Sequence, residues 1–127
     1  MDELEAIRAR KMQEFMKRAR SPAEPVEVSD VGFNDFIGQG GLIVIDCWAK
    51  WCGSCGMLSP IVDQLAKEYT GRVQFGKLNV DENPATAQRF GIMSIPTLLI
   101  MKGSQLVETV IGAVPKNHIK AVLGKYL

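Results

Sequence analysis

The chain has 127 residues, 46% of them hydrophobic and 23% charged, enough for one domain around one core and too few for two comfortable ones. Its formal net charge of +1 sets up no field that would draw nucleic acid, an anionic membrane or an acidic substrate. No stretch nears the ~20 consecutive apolar residues that span a bilayer, and Met1-Asp2-Glu3-Leu4-Glu5 puts acidic residues where a secretory leader has basic ones and then an apolar run, so a soluble, cytoplasmic protein is expected.

From Asp2 to Arg20 the composition favours helix, and Leu4, Ile7, Met12, Phe15, Met16 and Ala19 draw an apolar stripe at spacings of three and four. Ser21-Pro22-Ala23-Glu24-Pro25 cannot continue it, because proline lacks the N–H and biases the preceding residue toward extended backbone. Residues 1–25 are therefore expected to be an amphipathic helix and linker, and residues 26–127 the domain proper. Ser29 or Asp30 can cap a short helix holding Phe33, Phe36 and Ile37, closed by Gly38-Gln39-Gly40-Gly41. Leu42-Ile43-Val44-Ile45 is apolar without alternation, the pattern of a central strand covered on both faces.

A helix is expected to start around Cys52 to Cys55 and to run through Ile61, Leu65 and Tyr69 as far as Gly71, kinked at Pro60. Val73 to Val80 reads as a further strand, and Asn83-Pro84 opens a short helix toward Phe90. Thr97 to Met101 and Leu106 to Ile111 make a hairpin across Lys102-Gly103-Ser104-Gln105. Pro115 to Leu127 closes the chain as a helix with Ile119, Val122 and Leu123 on one face. This order predicts an α/β fold, a central mixed β-sheet flanked by helices on both faces, with an N-terminal helical extension.

Three cysteines, Cys47, Cys52 and Cys55, fall within nine positions, which is no framework of structural disulfides. Two thiols separated by two residues have two common uses, redox exchange or half of a zinc site.

Trp48-Ala49-Lys50-Trp51-Cys52-Gly53-Ser54-Cys55 resembles the active-site segment of thioredoxins, in which a tryptophan precedes Cys-Gly-Pro-Cys. Asp46 stands where that family has a buried aspartate, Lys77-Leu78-Asn79-Val80-Asp81 matches the end of one of its strands, and Gly91-Ile92-Met93-Ser94-Ile95-Pro96-Thr97 its cis-proline loop. Gly112-Ala113 matches the glycine after its last hairpin, and the landmarks keep family order across Val26 to Leu127. The resemblance implies a thioredoxin fold and a protein-disulfide reductase working by dithiol–disulfide exchange through a Cys52–Cys55 redox disulfide. It implies no bound cofactor and no metal, reducing equivalents from a thioredoxin-reductase-type partner and disulfide-containing proteins as substrates; the sequence leaves the oligomeric state open, with a monomer favoured. It further implies that Asp46 exchanges the proton of Cys55, with Lys77 close enough to modulate it. Pro96, if cis, sets the backbone of Ile95 beside the cysteines for an extended substrate, within a rim that includes Trp48, Trp51, Gly53, Ser54 and Gly112.

The residues themselves agree with this chemistry. The attacking species is a thiolate, which the unpaired N–H groups of a helix N-terminus stabilise, and this suits Cys52 as nucleophile. Cys55, one turn on, can reach a mixed disulfide on Cys52 and resolve it. Asp46 follows four apolar residues in a strand covered on both faces, where burial raises a carboxyl pKa toward neutrality. Strand alternation turns Cys47 to the opposite face, so a buried, inert thiol is expected there. A zinc site fails on ligand count, because beyond the three cysteines there is only His118, in the distant last helix.

Three positions depart from the thioredoxin pattern, one of them Cys47, which stands where the family usually has an aromatic residue. Ser54 replaces the motif proline and Gly56 the basic residue that commonly follows the second cysteine. A serine restores an N–H and adds a hydroxyl that can stabilise a thiolate, so a potential somewhat more oxidising than that of a proline-containing relative is expected. This makes isomerase or oxidase work an alternative, and the N-terminal helix suggests another, a binding module that recruits a client.

Overall fold

The structure is a computed structural model, and it describes residues 2–8 and 23–127. Residues 3–8 are helical, with Asp2 Oδ1 accepting a 2.8 Å bond from the Glu5 N–H, as an N-cap carboxylate does. Leu4 and Ile7 of the predicted stripe are exposed. The rest of the predicted helix and Ser21-Pro22 of the linker lie outside the described residues.

Five strands form one mixed sheet in the order β1-β3-β2-β4-β5. Strands β1 (Val26–Glu27), β2 (Leu42–Trp48) and β3 (Val73–Asn79) are parallel, while β4 (Thr97–Lys102) and β5 (Gln105–Ile111) run antiparallel to their neighbours. The unbroken apolar run of β2 is explained by its place: it pairs with β3 on one side and β4 on the other, and six of its seven residues are buried. The hairpin joins β4 to β5 through a turn at Gly103-Ser104, with an irregular register at Ile100/Met101. Strand β1 was not foreseen. Two residues carry no periodicity, and this pair is a strand only because it pairs with Gly76 and Lys77 of β3.

Helices α1 (Phe33–Ile37), α2 (Gly53–Glu68), α3 (Pro84–Arg89) and α4 (Lys116–Gly124) cover the sheet. On one face α2 and α4 bury Leu58, Val62, Leu65, Ile119 and Leu123 against Leu42, Val44, Phe75, Leu98 and Ile100. On the other, Phe33, Phe36 and Ile37 of α1 pack on Ile43, Ile45, Cys47, Leu78 and Leu99. Alternation along β2 thus sends even-numbered residues to the first face and odd-numbered ones to the second.

The expected capping by Ser29 or Asp30 is corrected by the structure. Gly32 is the N-cap of α1 without any side-chain cap bond, and Ser29 Oγ accepts only from the Gly32 N–H, at 3.3 Å. Asp30 instead caps α3, far along the chain. Its carboxylate accepts the N–H groups of Ala85 and Thr86 at 3.1 and 2.8 Å and the Thr86 hydroxyl at 2.6 Å. A cap read from sequence is assigned to the next helix, whereas a carboxylate satisfies whichever orphan N–H groups the fold brings to it.

Gly76 sits in β3 on the α1 face, where a Cβ would meet Val28 Cγ2 at 2.7 Å, Phe36 Cε1 at 3.0 Å and Ile45 Cδ1 at 3.2 Å. A β-branched side chain and a packed ring have little room to yield. Gly76→Ala is therefore expected to lower stability by ~1–3 kcal/mol, the usual cost of overpacking a filled core. Urea unfolding would show it as a lower midpoint at unchanged slope, and an unchanged midpoint would mean that the three side chains shift freely.

Candidate active site

Strand β2 ends at Trp48, and after a short loop Cys52 becomes the N-cap of α2, with its Sγ accepting a 3.2 Å bond from the Cys55 N–H. The two cysteines are disulfide-bonded, with Cα atoms 5.3 Å apart. Cys52 is half-buried, and Cys55 is buried behind it. No acidic residue occupies the first turn of α2, so nothing there offsets the positive end of the helix dipole that faces the sulfurs.

The loop before β4 closes over this pair. The Ile95–Pro96 peptide bond is cis, and the Ile95 carbonyl oxygen lies 3.8 Å from Cys52 Sγ. Gly112, at φ 92°, donates its N–H to the Pro96 carbonyl at 2.8 Å, so the end of β5 supports the loop. Ser54 Oγ lies 3.5 Å from Cys52 Sγ. Ser54 and Ile95 are therefore set against Cys52, with Pro96 joined to Gly112 next along the loop, and Gly53, exposed, opens the helix.

Asp46, Trp48, Cys52, Cys55, Ser59 and Lys77 line a cleft of about 340 Å³. Asp46 is 1% exposed, and its Oδ1 has no hydrogen-bond partner among the described residues. Burial raises its pKa to about 6, an effect that Lys77 opposes and Asp63 reinforces. The Lys77 ammonium, its register neighbour, bonds Asp63 Oδ1 at 2.9 Å and Ser59 Oγ at 2.6 Å. Cys47 lies on the far face of the sheet in the apolar core, where burial, with a smaller contribution from the Asp46 charge, pushes its thiol up to about 12. His118 is exposed on α4.

Trp51 is 72% exposed and is oriented by a 2.8 Å bond from its Nε1–H to Asp81 Oδ2. With Val80, Ile92, Met93 and Ile95 it walls an apolar groove next to the cysteines. The sequence motifs include Trp51 and the loop from Gly91 to Ser94 but give no sign of the Asp81 bond, nor of Ser59 and Asp63 at Lys77. A signal for these two existed: Cys55, Ser59 and Asp63 recur every four residues, which places them on one face of α2.

Comparison with known proteins follows the same outline. The family model described as Thioredoxin matches residues 24–125. Thioredoxin of Synechocystis sp. is 49% identical over 102 residues, covering 80% of this chain and 95% of its own. Thioredoxin of Staphylococcus saprophyticus is 45% identical over 102 residues, covering 80% and 97%. Among solved structures, an asparagine-to-glutamine mutant of thioredoxin from Halobacterium salinarum superimposes with a TM-score of 0.77 at 32% identity, covering 83% of this chain and 92% of that one.

Asp46 binds its proton more tightly folded, at about 6, than at its ordinary 3.8. Between those values the folded state holds more protons, so this group's contribution to stability improves as pH falls through 6 and is at its worst above 6. At ~1.4 kcal/mol per tenfold change in proton affinity, Asp46→Asn is expected to be more stable than the parent by on the order of 3 kcal/mol near pH 8. The advantage should fade as pH falls through 6 and be gone by about pH 3, below both values. Urea unfolding of both proteins at the two pH values checks this, and equal stabilities at the higher one would mean the burial of charge is not costly.

Proposed function

The chain belongs to the thioredoxin family and is a dithiol–disulfide reductase, and we propose that Cys52 is its nucleophile, Cys55 its resolving thiol and Asp46 the group that takes and returns the proton. What carries this assignment is the setting of the Cys52–Cys55 disulfide, at the N-terminus of α2 with a buried, unpartnered carboxylate behind it.

In the reduced protein the Cys52 thiolate, stabilised by the Cys55 N–H and the helix dipole, attacks one sulfur of a substrate disulfide. A Cys52–substrate disulfide forms, and the other substrate sulfur leaves as a thiolate. Asp46 then removes the proton of Cys55 through the cleft, and the Cys55 thiolate attacks Cys52 Sγ. The Cys52–Cys55 bond closes, and the second substrate thiolate departs. Two electrons have passed to the substrate, and Asp46 gives its proton to the leaving thiolate or to solvent.

Trp48, Trp51, Gly53, Ser54, Ile95, Pro96 and Gly112 form the rim that receives substrate in this reading. An extended segment of a disulfide-containing protein lies along the Ile95 backbone, as an added strand does, with apolar side chains on the Trp51 groove. The chemistry calls for no bound cofactor, only a reductase of the thioredoxin-reductase type to return two electrons. A reducing cytoplasm suits such a carrier, and among the described residues no helix is long and apolar enough to cross a membrane. We assign residues 26–127 to the catalytic domain and residues 1–25 to an extension from it.

Cys52→Ser is expected to abolish dithiothreitol-driven reduction of insulin, and Cys55→Ser to accumulate the mixed disulfide. Asp46→Asn should slow its resolution near pH 7 by roughly tenfold or more, toward the ~10² at which general-base effects begin. Stopped-flow release of the substrate thiol reads this, and full activity in Cys52→Ser would remove the assignment. Ser54→Pro takes away the hydroxyl beside Cys52 Sγ and is expected to lower the redox potential, with ~30 mV corresponding to a tenfold change in the equilibrium with glutathione. An equal or higher potential in Ser54→Pro would show that the hydroxyl does not favour the thiolate, and a parent potential far above the ~−270 mV of thioredoxin would point to oxidase or isomerase work.

A further inference from the structure

Asp46 and Lys77 are register partners on adjacent parallel strands, and alternation puts both side chains on the sheet face that α2 covers. Such a placement invites an ion pair, yet none joins them, and Asp46 Oδ1 is left without a hydrogen bond. The ammonium is bonded to Ser59 and Asp63, one and two turns along α2 from Cys55. Asp46, Cys55, Ser59 and Lys77 line one cleft, and Asp63 reaches Lys77 from outside that lining.

A physical preference explains the choice. Asp63 is about half exposed, so pairing with it leaves both charges partly hydrated. Pairing with Asp46 would draw the ammonium toward a buried site and strip its water, a cost that attraction often fails to offset. The Ser59 hydroxyl adds a charge-assisted bond on the same side.

We propose that Ser59 and Asp63 are positioning residues that hold the Lys77 ammonium on the α2 side of the cleft, off the Asp46 carboxylate, so that this carboxylate stays free to receive the Cys55 proton. An ammonium seated on a carboxylate favours its ionised form and weakens it as a base, typically by one to three pH units, ~10- to 10³-fold in proton affinity. Held at a remove, Lys77 attenuates Asp46 without occupying it. The other groups facing Asp46 are Cys52 and Cys55 at the start of α2 and Lys50 in the loop before it, while β4 presents apolar Leu98. The proposal rests on the reading of Asp46 as proton acceptor.

The test is an NMR titration of the Asp46 carboxyl carbon in the full-length oxidised protein, where neither active-site sulfur titrates. The Ser59→Ala/Asp63→Asn double variant is compared with the parent, and the same two changes are made on Lys77→Met. Losing the Asp63 charge lowers the Asp46 midpoint in both backgrounds, so the quantity that decides is the excess with Lys77 present. An excess fall of about one pH unit is expected, the lower end for an opposite charge brought close. Equal shifts in the two backgrounds would overturn the proposal. The pH profile of mixed-disulfide resolution, measured on the reduced proteins, separates the two readings. A midpoint that moves as expected without a matching move in that profile upholds the positioning role and overturns instead the role of Asp46 as proton acceptor.

Discussion

Everything at the active site depends on β2 being dry on both faces and paired on both edges. Its register with β3 and β4 is pinned by a run of buried side chains, and a slip of one residue would send Asp46 to the α1 face and Cys47 to the α2 face. Because β2 cannot slip, the chain leaves the sheet at a fixed point. Cys52 is thereby delivered to the start of α2, and α2 is held in place by the apolar contacts of Leu58, Val62 and Leu65.

The same dryness sets a conflict between stability and chemistry. A carboxyl group in the core costs stability whenever it is ionised, and a lysine placed directly on it would favour the ionised form only at the expense of its own hydration. The protein leaves the cost in place. Lys77 turns to Ser59 and Asp63, and Asp46 remains close to the pH range in which a proton can be both taken and given back. Cys47, the neighbour of Asp46 on the same strand, faces an apolar core rather than a cleft, and the burial that brings Asp46 toward neutrality pushes this thiol away from it.

Much of the fold was legible because its strongest signals are local. The unbroken run Leu42 to Ile45, the punctuation at Gly71, Pro84 and Gly103, and the apolar face of Ile119, Val122 and Leu123 each depend on a few adjacent residues. The cysteine pair and the Ile95-Pro96 step were legible as motifs in family order. Strand β1, the Asp30 cap on α3 and the Trp51–Asp81 bond were not, because each joins segments far apart in the chain. The Ser59 and Asp63 contacts stood in between: their spacing from Cys55 was visible, but a helical face has no meaning until what packs against it is known.

The sequence by itself determined the order of elements, the central place of β2, the burial of Asp46 and the identity of the redox pair, since these follow from patterning and from the chemistry of two thiols at a helix start. Tertiary structure alone decided which groups satisfy which. Asp30 serves α3 rather than α1, and Lys77 serves Ser59 and Asp63 rather than the aspartate beside it in the sheet. The reason is that periodicity records which side of an element is buried, whereas the partner of a charged or polar group is chosen by distance and desolvation among segments brought together only by folding.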